Sequence, residues 1–318
     1  MATAGAGVAA ALSPLSGRDY LSSADCSAEG TVALLDLAAQ LKSGDRRIDL
    51  GNRVLGLIFT KASTRTRVSF QVAMARLGGQ TVDLNPSVTQ LGRGEPLEDT
   101  ARVLSRYCDV LAIRTFAQQE LVDYAYWASV PVINALTDLE HPCQALADFL
   151  TMREAHGELA GQTLAYIGDG NNVAHSLMLC GALLGVNVRI GCPEGFEPLP
   201  GVLDQARDLA QHGASIDVIT DPAQAVAGAQ AVYTDVWASM GQETEQAERE
   251  QAFSGFCVDE ALMDQAASDA IVLHCLPAHR GEEISAEVME SAASRIFDQA
   301  ENRLHAQQAL LASLMGGL

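Results

Sequence analysis

Short apolar segments alternate with helical segments along almost the whole chain, and this rhythm leaves few folds open. Strands buried on both faces and separated by helices are the mark of parallel sheets covered by helices. In the first half the pattern predicts strands near 53–59, 80–84, 109–114 and 130–134, with helices at 64–77, 99–107 and 119–128. The first of these helices should stop at Gly78-Gly79, where a left-handed residue closes a helix at little strain. In the second half, strands near 163–168, 186–191, 214–219, 231–236 and 270–275 alternate with helices near 172–184, 201–212 and 222–228. A helix around 142–155 joins the halves, and a last helix covers 301–315. At 318 residues the chain exceeds the size at which one core keeps growing, so two α/β domains are expected. Each should be a mainly parallel sheet flanked by helices, with the active site in the interdomain cleft. The expected divisions are a loose N-terminal tail over 1–16, a first domain over 17–141, a connecting helix over 142–155, a second domain over 156–300 and a C-terminal helix over 301–318.

Charge and cysteine content narrow the partners. The net charge of −20 disfavours nucleic acid and anionic membrane surfaces, which select Lys- and Arg-rich faces. No stretch approaches the ~20 apolar residues of a membrane span. The seven cysteines are scattered and never spaced Cys-x-x-Cys, so free thiols in a reducing cytoplasm are expected, with no disulfide framework and no zinc ribbon. Met1 to Leu12, rich in Ala and Gly without Lys or Arg, reads as a tail and not as a signal peptide.

Against this acidic background, Ser63-Thr64-Arg65-Thr66-Arg67 stands where an apolar strand hands over to a helix. Unpaired N–H groups and the positive end of the helix dipole, with three hydroxyls and two guanidiniums, make an anion site. One cap would need only one hydroxyl. It is not a P-loop, because Gly-x-x-x-x-Gly-Lys is absent.

Five other strand ends carry polar groups. Arg114 ends an apolar strand and either joins Arg65 or pairs at the surface with Glu120 or Asp123. His141-Pro142-Cys143-Gln144 opens a helix. His141 there should favour its neutral form and offer an N–H to a carbonyl oxygen, although a histidine so placed is commonly a satisfied surface or cap group. His141 with Cys143 would be an incomplete metal pair. Gly168-Asp169-Gly170-Asn171-Asn172-Val173 suggests a dinucleotide turn, but Val173 stands where the third glycine belongs. Asn172 could bind an amino-acid carboxylate or amine, or cap the helix. Asp235, before a polar, mobile-looking stretch running through Glu250, could hold a cationic amine or cap a loop. Cys275, in His274-Cys275-Leu276-Pro277, reads most simply as a buried inert thiol.

Taken together, these motifs resemble those of the ornithine carbamoyltransferases over about residues 17–314. The Ser-Thr-Arg-Thr-Arg turn and His-Pro-x-Gln are shared with aspartate carbamoyltransferases, whereas Asp235 to Gly241 and Cys275-Leu276 resemble the ornithine branch. The resemblance implies transfer of a carbamoyl group from carbamoyl phosphate to L-ornithine, giving citrulline in arginine metabolism. It implies no cofactor and no metal, a homotrimer, and sites near subunit boundaries. By the same resemblance Ser63, Thr64, Arg65, Thr66, Gln90, Arg114, His141, Gln144 and Arg303 bind carbamoyl phosphate, with Cys275 and Leu276 beside it. Asn172, Asp235, Ser239 and Met240 bind ornithine. Arg65, Arg114, His141, Asp235 and Cys275 carry the chemistry. Thr60 and Ala62 depart from the commoner family pattern without removing one of these ligands. Two rivals are a nicotinamide-dependent dehydrogenase built on the Gly168 turn and a non-catalytic amino-acid sensor. Putrescine and acetylornithine are closer competitors as the acceptor.

Overall fold

The computed structural model describes residues 2–85, 94–238 and 246–318, the side chains of 2–6, 246 and 247 excepted. The chain forms two compact units, one of Met1–Ala147 with Asn302–Leu318 and the other of Asp148–Glu301.

In the first unit the elements run α1 (Ala2–Leu12), α2 (Ala28–Ser43), β1 (Val54–Phe59), α3 (Thr64–Arg76), β2 (Gln80–Leu84), α4 (Leu97–Leu104), β3 (Val110–Arg114), α5 (Gln118–Trp127), β4 (Val132–Leu136) and the start of α6 (Pro142–His156). The four strands pair in parallel in the order β2-β1-β3-β4. Every residue of β3 and β4 is buried, as helices on both faces of a parallel sheet require, and the edge strand β2 is mostly exposed. Tyr20 lies along the other edge: its N–H donates to Val132 O, and its carbonyl accepts from Asn134 N, both at 2.8 Å.

The second unit contains β5 (Thr163–Ile167), α7 (Asn172–Leu183), β6 (Asn187–Gly191), α8 (Pro200–Leu209), β7 (Ile216–Ile219), α9 (Pro222–Val226), β8 (Ala231–Thr234), α10 (Gln246–Ala252), α11 (Glu260–Met263), β9 (Ile271–His274), α12 (Ala286–Met289) and the start of α13 (Ile296–Leu314). Its five parallel strands run β7-β6-β5-β8-β9. One of its cores gathers Ile167, Val232, Val272, Phe253 and Ile284.

Three expectations about the elements are corrected. The N-terminal stretch expected as a loose tail is helical from Ala2 to Leu12, with Val8 and Leu12 buried. Alanine has the highest intrinsic helix propensity, and docking on α2 supplies the tertiary contacts that a short isolated helix needs. Of the polar stretch expected as mobile through Glu250, residues 246–252 are α10, and Arg249 is buried in it. The last helix begins at Ile296, five residues before its expected start at 301. Gln90, Ser239 and Met240 lie outside the described residues.

Candidate active site

The candidate groups fall into two sets, one in each unit. In the first unit, β1 delivers the chain to α3, whose N-cap is Ser63. The Ser63 Oγ accepts from Thr66 N at 3.3 Å, so one hydroxyl of the turn does the capping. Arg67 is taken up structurally: it forms an ion pair with Asp83 and lies over the Phe59 ring, 5.0 Å from its centroid. Arg65, by contrast, is exposed.

Thr66 is 1% exposed, and its Oγ1 accepts from Arg303 Nη2 at 2.9 Å. Arg303 Nη1 donates to Gln144 Oε1 at 2.7 Å. A residue close to the C-terminus thereby ties the start of α3 to the start of α6. His141 is buried beside them, and its pKa is held well below the usual imidazole value. Burial is the largest cause, followed by the charges of Arg303, Arg114 and Arg65. Three guanidiniums from α13, the end of β3 and the start of α3 therefore act on one neutral imidazole. Such a group suits a small dianion with a carbonyl next to it.

Arg114 is buried, so the alternative of an exposed surface arginine fails. Its expected partners have bonds elsewhere: Glu120 accepts from Thr115 Oγ1, and Asp123 accepts from Gln119 Nε2 at 2.9 Å. The turn before His141 is held by Thr137, whose Oγ1 donates to Gln118 Oε1 at 2.6 Å and accepts from Glu140 N at 3.2 Å. Cys143 is no metal ligand here. Burial pushes its thiol up to about 12, and the thiol donates to Asn134 O at 3.4 Å.

In the second unit the parallel register builds the set. Thr234 pairs with Ile167 on one side and with His274 on the other. The residues that follow, Gly168, Asp235 and Cys275, thus leave the sheet side by side at its carboxyl edge, where ligands bind in such sheets. Asp235 is 5% exposed. Its Oδ1 accepts from the Cys275 thiol at 3.0 Å, and its Oδ2 accepts from Asn171 Nδ2 at 3.2 Å. Cys275 is only partly buried and hydrogen-bonded, which corrects the reading of an inert core thiol. Leu276 follows with φ 61, a conformation rare for a leucine, and its N–H donates to His274 Nδ1 at 2.9 Å.

The cap of α7 is Asn171 and not Asn172. Asn171 Oδ1 accepts from Val173 N at 2.9 Å, Ala174 N at 3.2 Å and the Tyr166 hydroxyl at 3.3 Å. Asn172 takes the first helical position and is partly buried. A glycine-asparagine-asparagine run offers two equivalent candidates, and only the backbone path assigns the cap. The same turn disposes of the dinucleotide reading. A Cβ on Gly170 would lie 2.2 Å from Pro198 N, and Gly170 N donates to Phe196 O at 2.8 Å. The close backbone approach that requires the second glycine is thus made by the chain's own 196–198 segment. Sequence reasoning also missed the buried pair of Arg249 Nη1 with Asp169 Oδ2 at 2.8 Å, because 80 residues separate them.

Comparison with known proteins gives the family. Residues 18–154 match the family model "Aspartate/ornithine carbamoyltransferase, carbamoyl-P binding domain", and residues 160–314 match "Aspartate/ornithine carbamoyltransferase, Asp/Orn binding domain". The chain is 90% identical over 318 residues to a protein of Parasynechococcus marenigrum (strain WH8102) named ornithine carbamoyltransferase, covering 100% of both chains. It is 80% identical to one of the same name from Prochlorococcus marinus (strain MIT 9313), covering 98% of each. Among solved structures, the ornithine carbamoyltransferase of Pyrococcus furiosus superposes with a TM-score of 0.91 at 49% identity, covering 96% of this chain and 99% of that one. That of Gloeobacter violaceus gives 0.86 at 56% identity, covering 94% and 98%. The chain belongs to the aspartate/ornithine carbamoyltransferase family.

Proposed function

We propose that the protein transfers the carbamoyl group of carbamoyl phosphate to the δ-amine of L-ornithine, giving L-citrulline and phosphate in arginine biosynthesis. The observation that carries this reading is the meeting of Arg65, Arg114 and Arg303 on the neutral His141 in a chain that also holds the Asp235–Cys275 pair. The names of the relatives support ornithine as the acceptor.

In this reading Arg65, Arg303 and the hydroxyls of Ser63, Thr64 and Thr66 hold the phosphate as charge builds on the bridging oxygen. Gln144 positions Arg303 and contacts the carbamoyl group. Arg114 and His141 stabilise the oxyanion that forms when the amine attacks the carbonyl carbon. His141 suits this role because, neutral throughout the working pH range, it donates a hydrogen bond without changing charge. Gln90 completes the carbamoyl phosphate set by resemblance, and Leu276 borders it. A lysine-like amine ionises near 10.4, so presenting it neutral at pH 7 costs on the order of 4–5 kcal/mol. Asp235 and Cys275 orient that amine, with Asn172, Ser239 and Met240 on the rest of ornithine. Proton removal falls to the Asp235–Cys275 pair or to the departing phosphate.

We also infer a homotrimer working in the cytoplasm. Exposed Val68 and Val72 on α3 and Val82 on β2 offer apolar surface for association, and the seven free cysteines suit a reducing compartment. No helix among the described residues is long and apolar enough to cross a membrane. Light scattering on the purified protein tests the trimer.

The deciding assay is carbamoyl transfer by purified protein with ornithine, putrescine, acetylornithine and aspartate in parallel. Citrulline formed only with ornithine is the expected result. Product with another amine alone would keep the phosphate set and overturn the acceptor, and no product from folded protein would favour a non-catalytic sensor.

A further inference from the structure

Beyond the transfer reaction, we infer that the turn His279–Glu283 is a binding site for a divalent transition-metal ion. The backbone fixes the turn: Glu282 N donates to His279 O at 3.0 Å, Gly281 N donates to Ile284 O at 2.8 Å, and Gly281 has φ 90. This folds both carboxylates back onto the imidazole. His279 Nδ1 lies 3.6 Å from Glu282 Oε2 and 4.0 Å from Glu283 Oε2. One ligand atom from each residue falls within 4.8 Å of the other two. Two ligands bonded at about 2.1 Å to a tetrahedral ion stand roughly 3.4 Å apart, so the exposed His279 and the partly buried Glu282 must move inward, by at most about 1.4 Å, to share one ion.

The second observation is the state of Glu283. Its side chain is fully buried, and Oε1 accepts from the His274 ring at 2.9 Å and from His279 N. Oε2 accepts no hydrogen bond, although it is buried. A buried carboxylate oxygen without a donor is unfavourable, the more so when charged, and a cation on that side removes the deficit. The one arginine of the turn does not fill the role, because Arg280 Nη2 is paired with Glu290 Oε1 at 2.9 Å.

One imidazole nitrogen with two carboxylate oxygens selects borderline divalent ions such as Zn²⁺, Co²⁺, Ni²⁺ or Mn²⁺ over Mg²⁺ or Ca²⁺, which take oxygen ligands. Water completes the coordination on the open side. A neighbouring group, Asp235, His274 and Cys275, also brings three potential ligands together. There, however, both nitrogens of His274 are used: Nδ1 accepts from Leu276 N and Nε2 meets Glu283. His279 has neither commitment, so the turn is the better site.

Titration of the full-length protein with Co²⁺, read by calorimetry and visible absorption, tests this. We expect one ion per chain, no cobalt–thiolate charge-transfer band, and affinity weakened about tenfold or more in both His279→Ala and Glu282→Gln. Cys275→Ser should bind Co²⁺ as the unchanged protein does. Unaltered affinity in both turn variants, a thiolate band lost in Cys275→Ser, or no binding at all would each overturn the proposal. The two turn variants change one exposed and one partly buried side chain, so unchanged circular dichroism is the folding control, and Glu283, which anchors His274, is left intact.

Discussion

At the scale of single residues, His141 shows how burial decides chemistry. Burial first, and then the charges of Arg303, Arg114 and Arg65, keep its imidazole neutral, so its proton balance differs between folded and unfolded chains. The unfolded histidine takes a proton near pH 6.5 and the folded one does not, so the unfolded state binds more protons once the pH falls below that value. Stability therefore declines from about pH 6.5 downward until the depressed folded pKa is reached. The slope from this residue approaches 1.4 kcal/mol per pH unit. His141→Gln should flatten that slope in urea melts between pH 5 and 7; an identical slope would show that other groups govern it. Arg65 is tested by turnover. Removing one donor to developing charge commonly lowers rate by about 100- to 1000-fold, and Arg65→Ala is expected to fall in that range. Near-normal kcat would remove Arg65 from the mechanism. Asp235→Asn should raise the ornithine KM far more than the carbamoyl phosphate KM, and equal changes in both would reject its assignment to the amine.

At the scale of elements, a helix start does two jobs in each unit. Ser63 caps α3, whose first turn carries Arg65 and Thr66, and Asn171 caps α7 while its amide nitrogen donates to Asp235. The two roles of Asn171 separate by substitution. Asn171→Ser keeps an oxygen for the cap and loses the reach to Asp235, so stability should hold within a few tenths of a kcal/mol while ornithine use suffers. Asn171→Ala should lose about 1 kcal/mol as well. A thermal melt and ornithine kinetics on both variants distinguish these outcomes, and unaltered ornithine kinetics in both would show that the Asp235 contact is incidental. The element pattern was legible in the sequence because β3, β4 and β5 are mostly apolar and Pro142 opens α6. The helix of residues 2–12 was not legible: its Ala-rich sequence lacks the charges and caps that mark helix ends, and contact with α2 helps hold it in place.

At the scale of the whole molecule, the chain closes its first unit only at its end. It enters the second unit within α6 and returns within α13, so the first core is completed by Asn302–Leu318, where Ala309, Leu310, Leu311 and Leu314 are buried. Deleting 302–318 should leave 148–301 resistant to protease while the first unit is digested, and carbamoyl phosphate protection should vanish with Arg303. Mass spectrometry of the limit digest checks this, and a protected first unit would show that its core forms without the return segment. Local properties of the sequence, the alternation of strand and helix, the hydroxyl-rich turn at 63–67 and the polar groups at strand ends, by themselves determined the α/β class and most of the candidate groups. They could not place Arg303 with Thr66, separated by 237 residues, or Arg249 with Asp169. Nor could they choose Asn171 over Asn172. Periodicity and capping patterns record interactions across a few residues, whereas strand register and the packing of distant segments arise only when the chain closes on itself, and that closure decided which side chains meet.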